Sequence, residues 1–364
     1  MLFRGREMRG QRRRTGLFLL LVIGGALLAA CAMMGSPAPP SAPPATPTPT
    51  PALVFAPHPT ARTRLIWPTG VSRSPTRTPT ATPRARVRRI DRTLNILVLG
   101  ADRRSSKAKI WRTDTIMLVM VDERTQEVAV ISIPRDTYVH IPGYGYQRIN
   151  VVDYFGESGV VKVKGGGPAL LKAVFRENFG VRVDHYVRID LPGFAKVVDV
   201  LGGVDVEITC PHTVHWGGET YHFKKGKQHL SGAELIIYVR ARRESNDIDR
   251  ARRQQRAILA MRDRARELNL LPRLPSLYAT LRGSVQTDLS LPELLRLARL
   301  AMNIPPDRVH GKVIGYPLVR GTVTQYGEAV LVPDLPAIRK VMEQAFEQPP
   351  LLEATEEGIA CEKE

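Results

Sequence analysis

The chain has 364 residues, 43% hydrophobic and 24% charged, enough for one large or two small domains with a proper core. Its formal charge of +18 invites a nucleic-acid partner, but residues 1–90 hold 14 of the 53 Lys and Arg against a single acidic residue, Glu7, while residues 91–364 carry 39 basic and 34 acidic side chains. Basicity confined to one arm argues against nucleic acid as a partner of the folded part. The three cysteines, Cys31, Cys210 and Cys361, have neither disulfide-framework nor zinc-ligand spacing, and leave a Cys210–Cys361 bridge undecided.

Residues 1–35 read as an address. "MLFRGREMRGQRRRTG" holds six arginines, and the uncharged apolar run from Leu17 to Gly35 follows; a bilayer is spanned by roughly 17–25 residues. Arginines before the run and none just after it predict a cytoplasmic N-terminus and an exported remainder. Two readings stay open: an uncleaved single-pass signal anchor, or a lipoprotein signal in which "LAAC" (28–31) resembles a lipobox and Cys31 carries the lipid. Both predict a domain held at the cell membrane on the extracytoplasmic side. Residues 36–90, rich in Pro, Thr, Ser, Ala and Arg without apolar periodicity, predict a disordered, semi-rigid stalk.

The folded region begins near residue 91. "NILVLGAD" (95–102), "DTIMLVMVD" (114–122) and "EVAVISIP" (127–134) are apolar runs of strand length, which predicts strands buried on both faces. The short polar link between the last two predicts an antiparallel hairpin. "PALLKAVFRENFG" (168–180) and "LPGFAKVVDVLGG" (191–203) predict helices, with strands at 184–190 and 204–209 around the second. Ser231 and Glu234 have capping-box spacing ahead of a short helix. Residues 247–269 predict a long helix with Asp247 as N-cap and Ile258, Met261, Ala265 and Leu268 on one face. Strands mixed with helices predict a layered α/β domain.

Charged residues converge at one predicted edge. In an antiparallel hairpin Asp114, opening one strand, and Arg135, closing the next, lie together. If the first strand also pairs antiparallel with the second, Asp102 reaches the same edge, with Arg103, Arg104 and Arg112 on the intervening loop. Two neighbouring carboxylates repel unless a proton or cation lies between them. Such a pair suits Mg2+ (or Mn2+), which takes one or two protein carboxylates plus phosphate oxygens, and guanidinium forks suit phosphate. A diphosphate site is one reading; a surface salt-bridge network at a strand edge is the other. Arg240 and Arg242 share a site only if their helix ends near Arg240. Arg250, Arg253 and Gln254 share a face in the first turns of the long helix, where the N-terminus favours an anion; Arg252 and Arg256 read as a solvated basic face.

The blocks "NILVLGADRR", "WRTDTIMLVMVD", "ISIPRDTYVHIPGYGYQRIN", "DHYVRIDLPGFAKVVDVLGGVDVEI", "GKQHLSGAELIIYVRAR" and "DIDRARRQQ" over 94–256, with 280–301 downstream, resemble the LytR–CpsA–Psr family of bacterial envelope enzymes. The resemblance implies an α/β/α sandwich around a central mixed sheet, with an apolar groove for a prenyl chain. Residues 91–270 are the expected catalytic domain, 271–346 its C-terminal part and 347–364 a flexible tail. It implies a Mg-dependent glycopolymer phosphotransferase. The donor is a polyprenyl (undecaprenyl) diphosphate-linked glycopolymer, the acceptor a peptidoglycan hydroxyl and the product a phosphodiester. Motif by motif, Asp102 and Asp114 match the metal-associated aspartates, and Arg135, Arg240, Arg242 and Arg250 complete the expected catalytic set. Arg112, Asp247 and Gln254 match further diphosphate or substrate positions, to which the edge and helix-face arguments add Arg104 and Arg253. Asp114 and Asp136 are candidates for the base. Asp249 in place of a usual Gly, a short loop from Arg242 to Asp247, and "VVKVKGGG" (160–167), which reads as a small insertion, depart from the pattern. A lipid diphosphate hydrolase and a non-catalytic binder of prenyl lipid or wall polymer are the alternatives; a DNA-binding regulator fits an exported domain least.

Overall fold

A computed structural model of the chain describes residues 89–102, 111–241, 247–269 and 285–356. The expected anchor, Cys31, the stalk up to residue 88, Arg103, Arg104, Arg242 and Cys361 lie outside the described residues; Arg89 and Ile90, expected in the disordered stalk, instead belong to the fold, where Ile90 is buried in the core. Among those described, no helix is long and apolar enough to cross a membrane. Cys210 is disulfide-bonded.

In chain order the fold runs β1 (Leu94–Ala101), β2 (Thr113–Asp122), β3 (Glu127–Ile133), the hairpin β4 (Tyr138–Ile141) and β5 (Gly145–Arg148), α1 (Val152–Ser158) and α2 (Gly166–Val174). Next come β6 (His185–Asp190), α3 (Leu191–Val200), β7 (Val204–Ile208), β8 (His212–Trp216), β9 (Glu219–Phe223), β10 (Gly226–Leu230), α4 (Gly232–Arg240) and α5 (Asp247–Glu267). The chain closes with β11 (Val285–Thr287), α6 (Leu291–Asn303), β12 (Val309–Val313), β13 (Val319–Val323), β14 (Ala329–Pro333), α7 (Leu335–Glu343) and α8 (Leu351–Glu356).

Six strands form one sheet in the order β11-β6-β1-β2-β3-β12. The expected antiparallel pairs β1–β2 and β2–β3 are present, whereas β6 joins β1 and β12 joins β3 in parallel, so the sheet is mixed. Alternate side chains of a strand face opposite ways. Ile96 and Val98 of β1 therefore enter a core with α3, α4, α5 and α6, while Leu97 and Leu99 enter a second core with α2 and α7. A sheet covered on both faces needs apolar residues at every position, which is why these strands read as unbroken runs. This is the expected α/β/α sandwich.

The helix expected to end at Gly180 does so, but its last turn, Phe175–Phe179, is π-helical, and the Gly180 N–H bonds back to the Arg176 and Phe175 carbonyls. The capping box at Ser231 and Glu234 forms as read. Four expectations are corrected. Asp247 is the first residue of α5, not a residue ahead of it, and Leu268 lies beyond that helix and is exposed, so it does not extend the stripe of Ile258, Met261 and Ala265. Arg256 is not solvated: it is buried, donating to Thr209 and to the hydroxyl and carbonyl of Thr355. Residues 347–356 are not a flexible tail, because Leu351, Ala354 and Thr355 of α8 are buried against α5 and β12.

Arg89 ties the start of the fold to two distant segments. It donates to Asp122 at 2.8 Å and to Thr125 at 2.8 Å, contacts Glu127, and stacks 4.0 Å over the Phe346 ring. Burial pushes the Asp122 and Glu127 carboxyls up, but hydrogen bonds from Arg89 and Thr125 outweigh it and hold both below the usual carboxylate range. The stability they lend is complete above the unfolded carboxylate pKa of about 4 and is lost as pH falls through the lowered folded values. Arg89→Ala is expected to lower Tm at neutral pH by about 2–4 °C, with the gap to wild type narrowing at a pH below the unfolded carboxylate value. An equal gap at both pH values, by scanning calorimetry, would discard this account.

Candidate functional site

The end of β1, the start of β2 and the end of β3 lie at one edge of the sheet. A register shift at Gly100–Ala101 turns the end of β1, and the Asp102 amide donates to the Arg112 carbonyl at 2.9 Å. Asp102 and, two residues beyond Arg112, Asp114 are both buried. Ile116 pairs with Ile133, so Asp114 and Arg135 meet just past the last bonded pair. Arg135 Nη1 donates to Asp114 Oδ1 at 3.2 Å, as the hairpin predicted.

Arg135 is the hub of a longer run of charge. Its Nε lies 3.2 Å from Asp136 Oδ2 and 3.4 Å from Asp247 Oδ2. Asp247 Oδ1 is 3.2 Å from Arg250 Nη1. On the other side Arg148 reaches Asp136 at 3.8 Å and Glu328 at 3.1 Å. Burial disfavours a charge on Arg135, but Asp114, Asp136 and Asp247 more than offset this, so its pKa is raised and it stays a cation. α5 is seated by Gln255, whose amide donates to Ser132 Oγ of β3 at 2.8 Å.

The remaining expected residues divide. α4 ends at Arg240, the condition under which Arg240 could join the site, and Arg240 is buried with its guanidinium 4.5 Å over the Trp216 ring. Gln254 is 2% exposed, and its Nε2 has no hydrogen-bond partner among the described residues. Arg253, expected among the diphosphate ligands, donates from its guanidinium to the Ala241 carbonyl at 2.5 Å and lies 3.2 Å from His212 Nε2. Burial lowers its pKa. These two contacts brace the end of α4. Arg112 is exposed at the edge of the site. Arg252 pairs with Asp249 at 2.9 Å rather than standing in solvent alone.

Two carboxylates at one edge suit a hard divalent cation. Among the described residues no three His, Cys, Asp or Glu are gathered for a metal. Asp102 and Asp114 are both buried carboxylates, the donor type a hard cation takes when water and phosphate oxygens supply the rest of its shell.

Sequence reasoning missed a support behind the edge. Trp111 Nε1 donates to Asp153 Oδ2 at 2.9 Å, and Arg188 Nη1 bonds both Asp153 oxygens at 2.8 and 2.9 Å. Asp153 is wholly buried at the start of α1. A Cβ on Gly167 would lie 2.2 Å from the Asp153 carbonyl and 2.3 Å from its Oδ1, so part of the glycine run in "VVKVKGGG" is what lets α2 approach. These contacts hold Trp111, and with it Arg112, against the fold. Asp153→Ala removes the buried carboxylate of Arg188, leaving it Glu157 and Gln286, and takes the Trp111 acceptor as well, which is expected to cost about 1–3 kcal/mol. Urea unfolding with Trp111 emission as one probe checks this; a cost below about 1 kcal/mol, the scale of an exposed pair, would show the pair to be peripheral.

The model of the LytR_cpsA_psr family matches residues 72–346. The chain is 33% identical over 206 residues to the polyisoprenyl-teichoic acid–peptidoglycan teichoic acid transferase TagU of Oceanobacillus iheyensis, covering 56% of this chain and 61% of that protein. It is 33% identical over 202 residues to the regulatory protein MsrR of Staphylococcus aureus, covering 55% and 57%. The chain thus spans about 60% of the length of these curated relatives. Among solved structures, B. subtilis TagV superposes with a TM-score of 0.59 at 23% identity, covering 71% of this chain and 99% of that one. TagT bound to LIIa-WTA superposes with 0.54 at 23%, covering 71% and 92%. At such identities the structures establish the fold, and the family model, across most of the chain, establishes that this protein belongs to the LytR_cpsA_psr family.

Proposed function

We propose that this chain transfers a glycopolymer from a polyprenyl diphosphate carrier to a hydroxyl of peptidoglycan, from a domain tethered to the outer face of the membrane through residues 1–35. The observation that carries the reading is Arg135, buried between Asp114, Asp136 and Asp247, with Arg250 on Asp247 and Arg240 at the end of α4. A lone salt bridge needs one carboxylate. A line of arginines held by shared carboxylates is a scaffold for a dianionic or trianionic group. The unpartnered Gln254 amide offers a further donor, and an unsatisfied buried donor needs an explanation that a phosphate oxygen supplies. The names of the TagU relatives, which carry a polyisoprenyl-linked donor and a peptidoglycan acceptor, support the same substrates.

In this reaction the acceptor oxygen forms a bond to the phosphorus that carries the polymer. The bond from that phosphorus to the bridging oxygen breaks, and polyprenyl phosphate leaves. Charge grows on the leaving phosphate, where guanidinium donors count most. Bound at Asp102 and Asp114, Mg2+ would supply Lewis-acid neutralisation of phosphate oxygens. The hydroxyl proton needs a carboxylate within reach. Asp136, with a side chain 21% exposed against 0% for Asp114, is the more accessible of the two candidates.

Arg135→Lys keeps a cation among the three carboxylates and removes the planar fork. It is expected to lower transfer by about 100-fold, mostly in kcat, with Tm changed little. The assay supplies a lipid diphosphate-linked glycan and peptidoglycan, and follows the coupled product by mass spectrometry. Wild-type activity in the variant would remove Arg135 from the site. Release of polymer phosphate to water, with no coupling, would make the enzyme a hydrolase. Asp102→Asn is expected to weaken Mn2+ binding, read by electron paramagnetic resonance without substrate, by at least about tenfold; unchanged binding would move the metal elsewhere.

A further inference from the structure

β4 and β5 pair in the register Tyr138↔Arg148, Val139↔Gln147, His140↔Tyr146 and Ile141↔Gly145. Residues directly opposite share a face of the pair. Val139 and Ile141 enter the second core and are wholly buried, so Tyr138, His140, Tyr146 and Arg148 lie together on the outward face. The hairpin is held on its other sides as well. The buried Asn178 side chain accepts from the His140 N–H at 3.0 Å and donates to the His140 carbonyl at 2.9 Å, and Thr137 bridges to Leu331 of β14.

The outward face is aromatic and open to water. Tyr146 is 61% exposed. Its ring stacks on that of Tyr138, with centroids 5.7 Å apart at 28°, and meets the His140 ring edge-on at 5.2 Å. Cross-strand aromatic pairs stabilise a hairpin, but this one is already fixed by its inner face and its edge, and stability does not call for a large ring left in water. Exposed aromatic side chains grouped on a fixed element mark a binding surface. Polar groups border them: His140 Nδ1 lies 2.5 Å from Glu177 Oε1, and Arg148 3.1 Å from Glu328.

A sugar ring asks for this combination. It has a face of C–H bonds, which an aromatic ring covers, and a rim of hydroxyls and amides, which carboxylate, imidazole and guanidinium groups bond. An anionic membrane surface asks for clustered Lys and Arg beside Trp, Phe or Leu, whereas the charges here come as pairs of opposite sign. The face also runs into the candidate site. Arg148, at its end, reaches Asp136 at 3.8 Å, and Asp136 lies 3.2 Å from Arg135. Asp136 is the more accessible candidate for the base, so the polymer that brings the hydroxyl has to arrive on this side, while Asp247 and Arg250 hold the side toward α5.

We propose that the outward face of β4–β5 is a glycan subsite, on which the Tyr138–Tyr146 stack takes an N-acetylated sugar ring of the peptidoglycan acceptor and leads its hydroxyl to Asp136. The inference rests on the reading of peptidoglycan as acceptor and gives that polymer its place.

The probe is a tetramer of N-acetylglucosamine, without donor so that no transfer proceeds, and affinity is read by calorimetry on the full chain. Tyr146→Leu is expected to weaken binding by about threefold to tenfold, and Tyr146→Phe, which keeps the ring, by less than about twofold. Farnesyl diphosphate is the reference ligand, and its affinity is expected to change by less than about twofold in both variants. An unchanged affinity for the tetramer overturns the proposal, as does an equal loss for both ligands, because the substitution then acts through the fold. In the coupled assay the loss is expected in KM for peptidoglycan; a loss in KM for the lipid-linked glycopolymer instead gives the face to the donor and overturns it. Tyr146→Trp in phosphatidylglycerol vesicles is expected to change its emission on adding the tetramer. Quenching by brominated lipid with no response to the sugar gives the face to the membrane and overturns it too. If wild type forms no coupled product while tetramer binding still depends on Tyr146, the transferase reading fails and the glycan subsite stands without it.

Discussion

The site hangs on one burial problem. Arg135 sits just past the end of a central strand, largely out of water, and burying a guanidinium there is costly unless opposite charge offsets its lost hydration. Three carboxylates do so, and they come from different elements: Asp114 from β2, Asp136 from the chain just beyond β3, and Asp247 from the start of α5. Each is in turn constrained. Asp114 can reach Arg135 only in the register that pairs Ile116 with Ile133. Asp247 can do so only while α5 lies across the sheet, where Gln255 bonds Ser132. Sheet register and helix placement are thus coupled through one side chain.

Around that edge the small two-stranded hairpins act as braces. β4–β5 delivers Arg148 to Asp136, and the Asp136 carbonyl accepts from Leu331 of β14, which fixes the loop behind Arg135. β8–β9 covers the end of α4. Behind the β1–β2 loop, the buried Asp153 gathers Trp111 and Arg188 from elements far apart in sequence. Arginines in this fold therefore do two jobs. Arg256 and Arg253 spend their donors on carbonyls and hydroxyls and hold segments together, while Arg135 and Arg250 share carboxylates and stay within reach of the edge.

The separation of these roles explains which residues a linear reading finds. Asp114 beside Arg135 follows from hairpin geometry, because an antiparallel pair fixes which ends meet. The capping box at Ser231 follows from local hydrogen bonding. Arg250, Arg253 and Gln254 share a helical face, but spacing is silent on what that face meets. Arg253 turned to the Ala241 carbonyl and Gln254 kept an unpartnered amide, although the two are adjacent. Arg256 read as solvated because nothing in its own neighbourhood signals α8, about a hundred residues on, whose Thr355 it bonds.

The apolar strands, their two-faced burial, the β2–β3 hairpin and the motifs that mark the family are legible along the chain, since they depend on local propensity, on period and on residues close in sequence. The parallel joining of β6 and β12, the convergence of Asp247 on Arg135, the Asp153 support and the stack of Trp216 on Arg240 arise from packing in three dimensions. Those contacts link residues 24 or more positions apart, and their partners are chosen by which surfaces remain to be buried once the sheet has formed.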